Sequence, residues 1–192
     1  ILLAFAIQEW DEENKKAEKE AIYLTSLYGD LVKDQNLLSR RIEDYEQTLK
    51  VTTECLGSLQ GWSVLDEAEL IQNIASRLTH NFAYYPSNNT YESLESSGDI
   101  KFISNANFKI LLYELDKSFQ TTTLRGDLFL EYTNSKMWAG FIMDNIDFEN
   151  QKLLKETPGF HNKFINRVVR MRTLIESYDY AMQGTLKKIS QV

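Results

Sequence analysis

The stretch "WDEENKKAEKEAIYLTSLYGDLVKDQNLLSRRIEDYEQTLKVTTECLG", residues 10–57, decides the fold. Along it, Trp10, Asn14, Ala17, Ala21, Leu24, Tyr28, Leu31, Gln35, Leu38, Ile42, Tyr45, Leu49, Thr52 and Leu56 follow at steps of four and three without a break. Most of these positions are apolar, which is the 3.5-residue period of helices packed with a left-handed twist. No proline interrupts the run, and Gly29 is its one weak interior residue. The spacing predicts a single helix from residue 2 to Leu56, about 80 Å long. Gly57 is expected as its C-terminal cap.

Upstream, "ILLAFAIQEW" sets Ile1, Leu2, Leu3, Phe5 and Ile7 before any charge, followed by Trp10. So short a run cannot span a bilayer, which needs about 20 residues. It fits the last turns of a transmembrane helix, with Trp10 in the interfacial aromatic belt. A signal peptide fits less well, because there is no basic start and no small-residue cleavage site.

Downstream, Ser63 and Asp66 read as a capping box opening a second helix to about Thr79. "HNFAYYPSNN" (residues 80–89) follows as a loop, stopped by Pro86 and the paired asparagines. Its aromatics Phe82, Tyr84 and Tyr85, with Tyr91, form the candidate recognition cluster outside the core. In "YESLESSGDIKFISNANFKILLYEL" (residues 91–115), Thr90 is expected to cap a short helix over 91–97, with Gly98 left-handed after it. Either Ser104 or Asn105 caps the next helix. One glycine without a following Gly-Lys-Ser/Thr is a helix corner and not a phosphate cradle. Tyr91, Leu94, Ser97, Gly98 and Asn105 are its structural residues.

The helix after the corner carries Phe108, Leu112, Leu115 and Phe119, and the four-three pattern continues to Ile146, with Gly126 and Gly140 as expected kinks. After a polar break, Thr157 reads as an N-cap and Pro158 as the first residue of a last helix. That helix has Phe160, Phe164, Val168, Met171, Ile175, Tyr178, Met182, Thr185 and Ile189 at heptad-like spacing. The expected fold is all-α: an antiparallel helical bundle whose long N-terminal helix continues from a transmembrane segment, with residues 1–10 its end and 11–192 the bundle.

Two prolines and eight glycines in 192 residues argue against an all-β or loop-rich chain. A net charge of −7 disfavours nucleic-acid binding, which draws on basic surface. Cys55 is the one cysteine, so no internal disulfide forms, and a lone helical thiol reads as a small core residue. His80 and His161 lack a paired metal motif, the carboxylates lie in solvated clusters, and no serine sits in a Gly-x-Ser-x-Gly elbow. No catalytic residue, metal or cofactor is expected.

"LLAFAIQEWDEENKKAEKEAIYLTSLYGDLVKD" (residues 2–34) and the pattern of Tyr91, Leu94, Ser96, Ser97, Gly98, Ile100, Ile103, Asn105, Phe108 and Leu112 resemble a family of uncharacterised single-pass membrane proteins from Bacteroidetes. Glu9 and Phe108 stand where that family favours Asn and Leu, and Leu115 and Asp116 replace its closing tyrosine pair. The resemblance implies one membrane helix and an extracytoplasmic helical domain at the bacterial inner membrane, the bulk of it periplasmic. It implies no activity. The expected role is a non-enzymatic interaction or scaffold subunit of an envelope complex, with a small-ligand sensory bundle as the alternative. Leu24, Leu31, Leu38 and Ile42 on the seam, with Phe82, Tyr84 and Tyr85, are the expected contacts to an envelope partner or to a second copy.

Overall fold

The computed structural model describes residues 2–62, 65–79, 83–155 and 158–192, the side chains of residues 2, 4 and 6 excepted. Ser63, His80, Phe82 and Thr157, singled out above, lie outside the described residues, as does Ile1.

Helix α1 spans Leu2–Gln60, 59 residues without interruption. It passes through Gly57, which is buried, and stops four residues later than the sequence indicates. Gly61, with φ +81°, is the left-handed cap. The Trp62 N–H donates to the Gly57 carbonyl at 3.0 Å and the Gly61 N–H to the Ser58 carbonyl at 3.2 Å, the paired bonds of a Schellman ending.

The chain then returns along α1 in short pieces. Helix α2, Glu67–Asn73, runs into a π-helical turn, Ile74–Leu78. Its capping box uses Asp66 and Glu69: the Glu69 N–H donates to Asp66 Oδ1 at 2.8 Å, and Glu69 Oε2 accepts from the Asp66 N–H. Asp66 is therefore the cap itself and not the closing acid of a box begun by Ser63. Helix α3, Asn89–Ser97, ends at Gly98 (φ +73°), and a 3₁₀ turn, Asp99–Phe102, leads to α4, Ala106–Asn134. Asn105 caps α4 through Oδ1, which accepts from the Phe108 N–H. Thr90 does not cap α3. It lies inside that helix, and its hydroxyl donates to Asp30 on α1.

Helix α4 does not run on to Ile146. Ser135 adopts extended backbone (ψ 161°), and its Oγ accepts from the Met137 N–H to start a π-helical turn, Lys136–Gly140, then α5, Phe141–Asn145. The break therefore falls at a serine that can cap, and not at Gly126 or Gly140. A two-residue hairpin follows, β1 Ile146–Asp147 against β2 Lys152–Leu153, antiparallel. Asp147 closes its turn by accepting from the Asn150 backbone and side chain. Helix α6, Phe160–Ile189, has Gly159 (φ +70°) as its N-cap, so Pro158 stands before the helix and not at its first position.

The chain thus runs up α1, down the broken return, up α4 and down α6. The pairings show the directions: Tyr45 meets Tyr178 and Phe129 at ring-centroid distances of 5.1 and 5.5 Å, and Ser118 meets Thr185. Every heptad position named above for α6 is buried. Fully burying residues of this size contributes about 1.5–3 kcal/mol each, and the α1–α4–α6 seam concentrates that gain.

Candidate functional site

Two features stand apart from the core: the N-terminal part of α1 and the contact line between α1 and the return.

Helix α6 ends at Ile189, level with the middle of α1. Beyond it, the four-three face of α1 has no cover. Residues 3, 5 and 7–19 are exposed wherever a side chain is described, so α1 projects from the bundle as a stalk of about 27 Å. Leu3, Phe5, Ile7 and Trp10 are all more than half exposed, on a surface that water would otherwise wet. Among the described residues, no helix is long and apolar enough to cross a membrane. At the foot of the stalk, Leu24, Tyr28 and Leu31 join Phe108, Ile189 and Val192 around a groove of about 340 Å³. Leu24 is exposed, and Leu31 is partly buried against the core. Leu38 and Ile42 are buried within the molecule's own bundle, which removes them from the expected partner-facing set.

The corner at Gly98 acquires a role here. The Tyr23 hydroxyl donates to Asp99 at 2.5 Å. Glu20 Oε1 accepts from both the backbone and the hydroxyl of Ser104, at 2.6 and 2.7 Å. Lys19 Nζ lies over the Phe102 ring, 4.6 Å from its centroid. The two hydrogen bonds from Ser104 hold the Glu20 carboxyl below the usual carboxylate range. Tyr91 and Leu94 bury their side chains against Leu27 and Leu112 just beneath. The corner therefore clamps α1 where the stalk leaves the bundle.

Higher up, the return is pinned to α1 by two carboxylates. Asp30 accepts from the backbone and hydroxyl of Thr90, and Asp34 Oδ1 accepts from the Ser87 N–H at 2.8 Å. Asp34 is only 1 % exposed, and burial raises its pKa. Its Oδ2 and the Tyr84 hydroxyl are both buried, and neither closes a well-formed hydrogen bond among the described residues. Asp116, also raised by burial and then by Glu95, lies on the far side of a cavity of about 20 Å³, room for one water-sized occupant. Among the described residues, no three histidine, cysteine or carboxylate side chains are placed to hold a metal ion.

The aromatic cluster divides. Tyr84 is fully buried, its N–H donating to the Tyr178 hydroxyl, and Tyr91 is buried under the corner, its phenol pushed up to about 12 by burial. Tyr85 alone is exposed, with its hydroxyl donating to Asp127 at 2.9 Å. The expected aromatic contact surface thus reduces, among the described residues, to one tyrosine. The two α1 carboxylates that hold the return, Asp30 and Asp34, were not foreseen, because their partners lie more than fifty residues away along the chain.

These features define a class: an all-α bundle from which one helix projects as a clamped stalk. The chain belongs to a family of unknown function, DUF6090, whose pattern matches residues 1–139, from the stalk through α4. No curated protein and no solved structure matches it.

Proposed function

We propose that this chain is a non-enzymatic interaction subunit of an envelope complex, held at the bacterial inner membrane by the N-terminal end of α1 with its bundle in the periplasm. The observation that carries the reading is the stalk. A helix of 59 residues keeps its four-three seam, with Leu3, Ile7, Trp10 and Leu24 on it, after its intramolecular cover has ended, and such a seam is stabilised by a second helix. The apolar start, with exposed Leu3, Phe5, Ile7 and Trp10, supports the anchoring, as does the resemblance of residues 2–34 to single-pass membrane proteins.

The test is assembly size. The full-length protein, extracted in mild detergent, is expected to run as a complex larger than one protomer. Ala21→Asp, at an exposed seam position outside the core, is expected to dissolve it. Equal masses for both proteins would overturn the reading. Leu31→Asp is the poorer probe, because Leu31 also packs on the core.

A sensory role is the second reading, favoured by the cavity between Asp34 and Asp116. Its volume of about 20 Å³ excludes an organic ligand, so the sensed species would be water-sized, and the clamp would carry the signal to the stalk.

A further inference from the structure

The charges beside the stalk seam are sorted. With Leu3, Trp10, Ala17 and Leu24 at d, and Ile7, Asn14, Ala21 and Tyr28 at a, the flanking e and g positions of residues 8–20 are Asp11, Glu13, Glu18 and Glu20. All four are acids. The three lysines of the same segment, Lys15, Lys16 and Lys19, fall at b, c and f, away from the seam. From residue 25 onward, where neighbours cover α1, the flanks turn mostly neutral or apolar, with Leu27, Val32, Ser39 and Thr48 among them. Glu9 and Glu12 fall at c and f, so acids occur on every polar face of the segment, whereas no lysine borders the seam.

Glu20 is held by Ser104 and Asp11 is paired with Lys15, which leaves Glu13 and Glu18 facing whatever lies on the seam. A second copy is a poor occupant. Parallel pairing, the arrangement of two copies anchored in one membrane, sets Glu13 of one against Glu18 of the other, twice by symmetry. Antiparallel pairing sets acid against acid as well. Asn14, Ala17 and Ala21 are three successive seam positions with little apolar surface, so hydrophobic burial does not outweigh that repulsion. A partner whose flanks carry the opposite sign converts each contact from repulsive to attractive.

We infer that the stalk seam, from Trp10 to Leu24, docks an amphipathic helix of another protein with Lys or Arg on both sides of an apolar stripe and a polar group facing Asn14. This rests on the interaction reading above and narrows it from any partner to a heterologous basic helix. Ala17 and Ala21 let that helix approach closely, and Trp10 and Leu24 close the contact at its two ends.

The test uses the whole chain and two labelled peptides about four heptads long, with identical Leu/Ile seams and either Lys or Glu at every e and g position. Binding is read by fluorescence anisotropy at physiological salt, and self-association of the chain by sedimentation. The Lys-flanked peptide is expected to bind at least about tenfold more tightly than the Glu-flanked one. Charge reversal by Glu13→Lys with Glu18→Lys is expected to invert that preference, and Ala21→Asp to abolish binding. If the Lys-flanked peptide binds Ala21→Asp undiminished, its attraction is only to the net negative charge and the inference is overturned. If Ala21→Asp abolishes binding but charge reversal changes nothing, or if the chain alone dimerises through the seam, the basic-partner inference fails while the interaction reading stands. If Ala21→Asp alters neither peptide binding nor the assembly of the full-length protein, both fail.

Discussion

The hydroxyl of Tyr178 on α6 rests over Gly126 on α4, so close that a Cβ at residue 126 would lie 2.9 Å from it. The same hydroxyl accepts the Tyr84 N–H, so one tyrosine joins α4, α6 and the return. Gly126, expected as a kink, is instead the space into which Tyr178 fits.

Gly126→Ala is therefore expected to destabilise, although the same change in an open helix would gain about 1 kcal/mol. The Tyr178 ring is fully buried and its far end is held, so it has little room to retreat. Overpacking of this kind costs about 1–3 kcal/mol, which leaves a net loss of up to about 2. Thermal unfolding should show a lower Tm, and Gly126→Ala with Tyr178→Phe should recover part of it. A Tm at or above that of the parent would mean that the ring relocates freely.

Gly98 carries the clamp on the stalk through its backbone. A Cβ there meets nothing within 4 Å, so the cost of Gly98→Ala is conformational alone, about 1–2 kcal/mol at φ +73°. Gly98→Asn should cost less, because Asn tolerates the left-handed region. Hydrogen exchange should accelerate in both variants at residues 99–104 and at 19–24, where Tyr23 and Glu20 are held. Acceleration confined to the corner, with α1 unchanged, would refute the clamp.

The long helices were legible because their period repeats many times: α1 over about six heptads of pattern, and α6 with every named position buried. The same periodicity misled at Ser135, which falls on the four-three pattern while its hydroxyl caps a new turn. The hairpin at 146–153 has two-residue strands, too short to show alternation. Gly57 and Gly61 are both plausible stops, and only the depth of the bundle decides that Gly57 stays helical and buried. The stalk seam could be read from its spacing. Its division into a covered part, with Leu38 and Ile42, and an open part on the N-terminal side of Leu31 depends on where α6 ends, which the pattern of α1 alone does not contain.

Cys55 lies in the covered part of α1, fully buried, with its thiol pushed up to about 12 by burial and then by Glu54. The thiolate is the reactive form, so at pH 8 the folded protein offers almost none of it. Labelling by a disulfide reagent should then proceed only through opening of the bundle, slower than the unfolded chain by at least about a thousandfold. A native-state rate near that of a free thiol would show that the upper end of α1 opens locally.

Asp34 should set part of the pH dependence of folding. Its folded pKa is raised by burial, so between its unfolded value, about 3.9, and the raised value the folded state binds more protons than the unfolded one. Stability attributable to this group therefore falls as pH climbs through that window, and stays low above it. Asp34→Asn keeps an oxygen for the Ser87 N–H and sets an amide beside the Tyr84 hydroxyl, which can accept from it. Denaturant titrations across pH should find the variant more stable than the parent at neutral pH, with the difference vanishing below about pH 4. Glu20 and Glu67, whose pKa values are lowered, act with the opposite sign in both proteins and cancel from the difference. A variant less stable than the parent at neutral pH would mean that the Asp34 charge is compensated, and the cavity beneath it would then hold the compensating group.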